Sequence, residues 1–143
     1  MNVETILSLK GGEVVSIEPT AKLETAVKKL AQHRIGALLV LGPDKRLIGI
    51  LSERDVVRVL ADRGAGVLNE PLATVMTRKV ITCARSDTVG AIMELMTSGK
   101  FRHVPVVEQE RVIGLISIGD VVKHRVQEIE QESSALRDYI QTA

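Results

Sequence analysis

The apolar residues of the first sixty positions follow two alternating patterns. Between Leu23 and Leu30 they recur at spacings of three and four, which places them on one face of a helix. From Ala37 to Leu41 they form an almost continuous aliphatic run, and a second run spans Leu47 to Leu51 after a polar turn. Runs of this length joined by a short turn predict a β-hairpin. A short β-rich stretch, Val14 to Ile17, precedes the helix, and a second helix is predicted to follow the hairpin.

The second half of the chain repeats this pattern. The segment GILSERDVV at positions 49–57 returns as GLISIGDVV at 114–122, with five of the nine residues identical. A repeat at a nearly fixed offset predicts two copies of one structural unit. Each copy is expected to contain a strand, a helix, two strands and a helix. The second copy also matches VITCARSDTVGAIMELM (80–96) to VVSIEPTAKLETAVKKL (14–30) and KFRHVPVV (100–107) to RIGALLVL (34–41), with predicted strands at Val80–Thr82, Val104–Val107 and Val112–Ile116.

The size of one repeat predicts how the two are arranged. A unit of about 50 residues leaves one face of its small sheet uncovered and is marginally stable alone. We therefore expect an α/β fold with mixed (α+β) sheets, in which two pseudo-symmetric β-α-β-β-α repeats pack sheet to sheet and an extended C-terminal helix follows. The predicted domains are residues 1–66, the first repeat with its N-terminal lead-in; 67–125, the second repeat; and 126–143, the C-terminal helical extension.

Composition narrows the classes of partner. The 143 residues carry 19 Lys and Arg against 18 Asp and Glu, so no overall field attracts nucleic acid or an anionic membrane. One Phe and one Tyr leave the chain without stacking platforms for single-stranded nucleic acid. No apolar run is long enough to span a membrane, and the start of the chain does not resemble a signal peptide. We expect a cytoplasmic protein that binds neither nucleic acid nor membrane.

The residues that most often carry out chemistry are sparse. One cysteine, Cys83, excludes a disulfide within the chain and fits a reducing compartment. The three histidines are scattered, with no cysteine or carboxylate at ligand spacing, so no metal site is predicted. The sequence also lacks a phosphate-loop signature and a recognisable nucleophile with its acid and base. These observations argue against an enzyme and against a catalytic cofactor.

The repeated Ser-x-x-Asp motif has two interpretations. In the first, Ser52 and Ser117 cap helices, with Asp55 and Asp120 three residues further on, where a carboxylate favours the helix dipole. In the second, the helix N-terminus and the serine hydroxyl bind a phosphate, and the carboxylate accepts hydrogen bonds from ribose hydroxyls. Recurrence in both halves favours the second interpretation. The small residues Gly49, Gly114 and Gly119 are expected to let a ligand approach the backbone.

Taken together, the repeated motifs resemble a known family. PTAKLETA and RSDTVGAI before the helices, RIGALLV and RHVPVV in the strands, and GILSERDVV and GLISIGDVV at the ends are similar to a tandem pair of cystathionine-β-synthase (CBS) domains, a Bateman module. The resemblance covers residues from about 10 to 125 and is closest to the stand-alone bacterial type. It implies a non-catalytic regulatory sensor of AMP, ADP, ATP, NAD or S-adenosylmethionine, acting in signal transduction or energy sensing on an unidentified client protein.

The resemblance also implies two ligand sites. In such pairs one repeat holds the adenine, and the Ser-x-x-Asp of the other repeat holds the ribose and phosphate. Arg54 and Arg102 are both expected to reach phosphate, although solvated arginines are common, and they make the two halves unequal. His103, Ser16 and Thr82 are also interpreted as ordinary strand residues. One site combines Ser16, Ile35, Gly36 and Ala37 with Ser117 and Asp120; the second combines Thr82, Phe101, Arg102 and His103 with Ser52, Arg54 and Asp55.

The C-terminal tail carries a heptad-like apolar seam, which we call the C-terminal seam. Its members are spaced at four, three, four, three and four, with Ser133 filling one step. The seam either packs back onto its own domain or binds a partner helix, and the resemblance to CBS pairs favours a homodimer. A scaffold whose pockets have decayed is the alternative to a working sensor. The apolar members of the seam are Val122, Val126, Ile129, Leu136 and Ile140.

Overall fold

The computed structural model of the protein describes residues 1–142 and contains two compact units. The first-repeat unit comprises Glu13–Ile81 and Gln109–Val112, and the second-repeat unit comprises Met1–Gly12, Thr82–Glu108 and the chain from Ile113 onward. The predicted domain limits and the packing of the sheets on each other stay predictions. The elements are α1 (Val3–Lys10), β1 (Ser16–Ile17), α2 (Leu23–His33), β2 (Ala37–Leu41), β3 (Leu47–Ser52), α3 (Glu53–Arg63), α4 (Val89–Gly99), β4 (His103–Glu108), β5 (Arg111–Ser117) and α5 (Ile118–Thr142), with short 3₁₀ turns at Pro43–Lys45, Ala65–Asn69 and Leu72–Thr74.

The first-repeat unit has the predicted mixed sheet. β1 runs parallel to β2, and β2 pairs antiparallel with β3, in the order β1-β2-β3. The predicted helical face is confirmed, because Leu23, Ala26 and Leu30 of α2 are buried. They share one core with Leu38 and Val40 of β2. The hairpin therefore delivers the end of β3 directly to the start of α3.

The second-repeat unit has a smaller sheet than predicted. β4 and β5 form the expected two-stranded ladder, but the predicted strand at Val80–Thr82 is wrong, and only an isolated bridge joins Cys83 to Val106. In the first repeat the Leu39 amide donates to the Val15 carbonyl. The repeat alignment places Pro105 at the position of Leu39, and proline has no N–H to donate. The second ladder is therefore one bond shorter, and Cys83 stays buried beside it.

The N-terminal helix α1 is not among the predicted elements. Asn2 caps it, since its Oδ1 accepts a hydrogen bond from the Thr5 amide at 3.1 Å. Val3, Ile6 and Leu7 are buried in the core of the second-repeat unit. This helix thus packs with the second half of the sequence, although it precedes the first. Its apolar residues have the i, i+3, i+4 spacing of an amphipathic helix, which was the signal available for predicting it.

The predicted C-terminal extension is confirmed as part of α5, a helix of 25 residues. Its first turns are anchored by Val121 and His124, which are buried. The C-terminal seam begins within these turns at Val122 and continues along the helix, and its five apolar residues are between 47% and 65% exposed. Ala143, the last residue of the predicted extension, lies outside the described residues.

None of the helices in residues 1–142 combines the length and the apolar character that a membrane crossing requires.

Candidate functional site

Both Ser-x-x-Asp motifs form the predicted helix cap. At the start of α3 the Asp55 amide donates to Ser52 Oγ at 3.2 Å, and the Ser52 amide donates to Asp55 Oδ2 at 3.0 Å. At the start of α5 the matching bonds between Ser117 and Asp120 are 3.2 Å and 2.9 Å. Such reciprocal caps stabilise a helix by about 0.5–2 kcal/mol. The capping interpretation is therefore confirmed in both repeats, and any ligand must use groups that the cap leaves available.

The carboxylate of Asp55 has partners on both oxygens. Arg58 Nη2 donates to Oδ1 at 2.6 Å, while the Ser52 amide already occupies Oδ2. The hydroxyl of Thr77 lies 3.4 Å from each oxygen. The residue is buried within the first-repeat unit, whereas the side chain of Arg58 is 71% exposed. Asp55 is thus held by its own unit and offers little free acceptor capacity.

The carboxylate of Asp120 is used on one side only. Its Oδ2 accepts from the Ser117 amide at 2.9 Å, from Ser117 Oγ at 3.0 Å and from Lys10 Nζ at 2.7 Å. Within residues 1–142 its Oδ1 has no hydrogen-bond partner. Burial raises the pKa of Asp120, but the bonds and charge of Lys10 and the bonds from Ser117 outweigh it and hold the pKa below 3.8. Asp120 is therefore ionised at neutral pH and presents one free oxygen.

The backbone at each helix start is partly committed. The Glu53 amide donates to the Gly36 carbonyl at 2.9 Å, and the Ile118 amide donates to the Arg102 carbonyl at 2.8 Å. With the third amide bonded to serine, two of the first three amides of each helix have protein partners. The expected phosphate site at the helix N-terminus is weaker than the motif alone indicates, because few amides remain. Side-chain cations must supply the missing charge.

The glycines of the motif contact protein segments rather than open space. A Cβ on Gly49 would lie 2.8 Å from both Met76 Sδ and the Thr77 carbonyl oxygen, and one on Gly114 would lie 2.5 Å from Leu7 Cδ2. The expectation that these two glycines admit a ligand is therefore wrong, because the chain itself passes there. A Cβ on Gly119 would meet nothing closer than Ser117 Oγ at 3.6 Å.

The segments that pass over these glycines also reach the carboxylates. In the first-repeat unit the Thr77 amide donates to the Ile50 carbonyl at 2.9 Å, and its hydroxyl faces Asp55. In the second-repeat unit Lys10 Nζ donates to the Leu115 carbonyl at 2.8 Å as well as to Asp120. Ile50 and Leu115 are equivalent at an offset of 65. A neutral threonine and a charged lysine thus perform the same pair of contacts in the two repeats.

Lys10 and Thr77 were not predicted as site residues. Lys10 lies 110 positions from Asp120 and Thr77 lies 22 positions from Asp55, so no local motif connects them. The signal that the sequence offered for these two residues was their position: each lies at the end of a segment that precedes a repeat. Lys10 reaches Asp120 because it lies at the end of helix α1, which the sequence patterns did not predict.

The predicted adenine residues of the first repeat lie near β1 and β2. Ser16 is half-buried in β1, and its carbonyl accepts from Lys29 Nζ at 2.5 Å. Ile35 and Gly36 are half-buried between α2 and β2, and Ala37 is buried and pairs with Ser52 across the ladder. The structure brings these residues into one unit, and their role in binding adenine stays a prediction.

The predicted residues of the second set are more scattered. Thr82 is exposed and lies outside the strands, and Phe101 is half-buried against the core of the second-repeat unit. Arg102 is exposed, and His103 is the half-buried first residue of β4. Arg54 is exposed in the first turn of α3. Their expected contacts with ligand also stay predictions.

Comparisons with known proteins agree with the repeat. The family model described as "CBS domain" matches twice, at residues 10–62 and 72–127. The Arabidopsis thaliana CBS domain-containing protein CBSX3, mitochondrial, is 39% identical over 120 residues, which is 81% of this chain and 58% of that protein. The chain therefore spans little more than half the length of this relative. The crystal structure of the CBS-domain containing protein ATU1752 from Agrobacterium tumefaciens is 42% identical, with a TM-score of 0.84, covering 87% of this chain and 99% of that one.

Two similar structures contain adenosyl compounds. The CBS domain protein PAE2072 from Pyrobaculum aerophilum, complexed with AMP, is 29% identical with a TM-score of 0.73, covering 84% of this chain and 89% of that one. The CBS domain pair of protein MJ0100, in complex with 5′-methylthioadenosine and S-adenosyl-L-methionine, is 25% identical with a TM-score of 0.76, covering 86% and 98%. The two family matches, the fold of each repeat and these similarities show that the chain belongs to the CBS domain family and carries a tandem pair of its domains.

Proposed function

We propose that this protein is a regulatory module that binds an adenosyl ligand, either AMP, ADP, ATP or NAD, and responds by a change in conformation or association. The observation that supports this most directly is Asp120 Oδ1, which has no hydrogen-bond partner within residues 1–142; it is an ionised carboxylate oxygen at a helix N-terminus beside a serine hydroxyl. Similar structures contain AMP or S-adenosylmethionine, so the class of ligand has precedent among proteins with this fold. The proposal assigns no catalytic step, metal or cofactor.

The carboxylate of Asp120 matches the chemistry of a ribose. Two neighbouring hydroxyls donate hydrogen bonds, and an ionised carboxylate only accepts them. A hydrogen bond to a charged group contributes about 1.5–3 kcal/mol, so losing it is measurable against a micromolar affinity of about 8 kcal/mol. In this proposal Ser117 and Asp120 hold the ribose and phosphate, and Ser16, Ile35, Gly36 and Ala37 hold the adenine.

The second site is proposed to be weaker. Ser52, Arg54 and Asp55 would hold the ribose and phosphate there, with Thr82, Phe101, Arg102 and His103 on the adenine side. Asp55 must first exchange a bond to Arg58 or Thr77 for a bond to ligand, whereas Asp120 has an oxygen available. A competing internal bond lowers the net gain from binding. One tight and one weak site are therefore expected.

An association module is the second candidate, and the exposed C-terminal seam favours it. Five apolar residues on one helix, all about half exposed or more, are typical of a surface that another helix covers. We propose a homodimer, which is compatible with the sensor and would give a ligand something to modulate. Sedimentation at several protein concentrations, with and without AMP, measures this association directly.

Isothermal titration tests the sensor proposal. AMP, ATP, NAD and S-adenosylmethionine are titrated into the wild type, Asp120→Asn and the control Asp62→Asn, which removes an equivalent charge from an exposed position of α3. Asp120→Asn is expected to weaken the tighter site by about tenfold or more, and the control by less than about twofold. Saturating ligand should also raise the melting temperature of the wild type, because it binds the native state. If none of the four compounds binds, the chain is a scaffold without a working site.

A further inference from the structure

Lys10 lies beside the carboxylate of the proposed adenosyl site, at 2.7 Å from Asp120 Oδ2. It is the last residue of α1, and its ammonium bonds both Asp120 Oδ2 and the Leu115 carbonyl. Its side chain is 36% exposed, so the ammonium lies at the surface of the second-repeat unit. Buried Ile6 and Leu7 anchor the helix that carries it. Packing therefore fixes the backbone that carries Lys10, and two hydrogen bonds hold its ammonium beside Asp120.

The ammonium has binding capacity to spare. It carries three N–H donors, of which two have partners in the described chain. In the described chain Asp120 likewise has bonds on Oδ2 but none on Oδ1. One donor and one acceptor thus lie next to each other at a partly exposed helix N-terminus. That combination accepts a hydroxyl donor on one side and an anionic oxygen on the other.

The local charge balance depends on Lys10. An isolated Asp120 would repel a phosphate, and two of the first three amides of α5 are already bonded. The Lys10 ammonium, 2.7 Å from the carboxylate, neutralises it and adds a positive centre beside the terminus. In the first repeat the equivalent contact comes from the neutral Thr77, and the positive charge beside Asp55 comes from Arg58 of α3 instead.

We propose that Lys10 determines which ligand charge the Ser117 and Asp120 site prefers. Because of Lys10, the site prefers adenosyl ligands with a 5′ phosphate over those with a cationic sulfonium. This inference rests on the proposed function and specifies its ligand class. Without Lys10 the site keeps the Asp120 charge uncompensated, which disfavours phosphate and favours the sulfonium. The preference is thus a property of one side chain from α1, outside the repeated motif.

The test is a comparison of three ligands that share adenosine. AMP, adenosine and S-adenosylmethionine are titrated into the wild type, Lys10→Gln and Lys10→Arg, with Lys28→Gln as the matched control. Lys28 is 76% exposed on α2 and pairs with Glu24 at 3.2 Å, so its loss changes net charge equally. Circular dichroism and melting curves establish that each variant is folded.

The expected result is a change in selectivity. Lys10→Gln should bind AMP roughly tenfold more weakly, adenosine within about twofold of the wild type, and S-adenosylmethionine equally or more tightly. Lys10→Arg keeps the charge and should retain most of the AMP affinity, and Lys28→Gln should behave as the wild type. The AMP affinity of the wild type should also fall more steeply with added salt than that of Lys10→Gln.

Two results would overturn the inference. Equal losses for AMP and adenosine in Lys10→Gln would show that Lys10 only supports the fold of the site. An unchanged ratio of AMP to S-adenosylmethionine affinity would show that its charge does not reach the ligand. Both leave the proposed function intact, since the wild type still binds. Failure of all three ligands to bind the wild type is a different outcome, because it removes the adenosyl site itself.

Discussion

The two Ser-x-x-Asp termini have the same cap but different carboxylates. Asp55 is enclosed by Thr77 and Arg58 and has partners on both oxygens, while Asp120 is bonded on one oxygen and faces a lysine. The cap itself is determined by residues within three positions of each other. The state of the carboxylate depends partly on Arg58, three positions beyond Asp55, and partly on a segment that arrives from 22 or 110 positions away. An internal repeat can therefore preserve a local motif while its chemistry diverges.

The largest effect on stability is expected at Gly49 and Gly114, where the segments that precede the repeats pass close to the backbone. Gly49→Ala would place a Cβ 2.8 Å from the Thr77 carbonyl, which is backbone, whereas Gly114→Ala would meet only the end of the Leu7 side chain. We expect Gly49→Ala to destabilise by about 3 kcal/mol and Gly114→Ala by about 1 kcal/mol. Urea unfolding of both variants measures the difference. Equal losses at the two glycines would mean that the backbone of the first repeat yields as readily as a leucine side chain.

An intermediate effect is expected from pH at Asp120. Its folded pKa is lowered, so its contribution to stability is present above the ordinary value of 3.8 and is lost as pH falls through the folded pKa. The wild type should exceed Asp120→Asn in stability by about 1–2 kcal/mol at neutral pH, and this margin should shrink as pH falls below about 4. Unfolding curves at pH 7, 4 and 3 test this. A constant margin over that range would contradict the assignment of the bonds to the ionised form.

The smallest effect is expected from Arg58. Its guanidinium bonds Asp55 but is 71% exposed, and solvent screens such pairs. Arg58→Gln should therefore change the unfolding free energy by about 0.5 kcal/mol or less. It would leave Asp55 Oδ1 with the Thr77 hydroxyl, 3.4 Å away, as its remaining partner in the described chain. If Arg58 is what makes the second site weak, ligand affinity there should rise in the same variant. A loss of more than about 1 kcal/mol would show that the pair stabilises the unit more than its exposure indicates.

Local patterns predicted most of the repeated unit. Apolar spacing predicted the helical face of α2 and both hairpins, and the Ser-x-x-Asp motif predicted both caps. These features could be predicted because they depend on neighbours within a few residues. The repeat also predicted a strand at Val80–Thr82, because this segment matches the first strand of the first repeat in the sequence. At Thr82 the structure differs because Pro105, on the neighbouring strand, cannot donate a ladder bond. Val80 and Ile81 lie outside a strand just as their counterparts Val14 and Val15 do in the first repeat.

The long-range contacts that distinguish the two carboxylates, those of Lys10 and Thr77, could not be predicted in this way. In the sequence Lys10 is one of many surface lysines. It comes close to Asp120 because Leu7 of the same helix packs against Gly114. Its role depends on a tertiary contact that spans nearly the whole chain. The predicted roles of Arg54, Arg102 and His103 depend on ligand contacts of the same long-range kind, and they remain predictions.

The burial of Cys83 has a consequence for handling the protein. Burial, with a smaller contribution from the charge of Asp87, raises the pKa of its thiol to about 12. At neutral pH only about one molecule in 10⁵ then carries the reactive thiolate, so alkylating reagents and peroxide should attack Cys83 of the native protein slowly. The rate of alkylation at this single sulfur therefore reports how often the core of the second-repeat unit opens, without any engineered label.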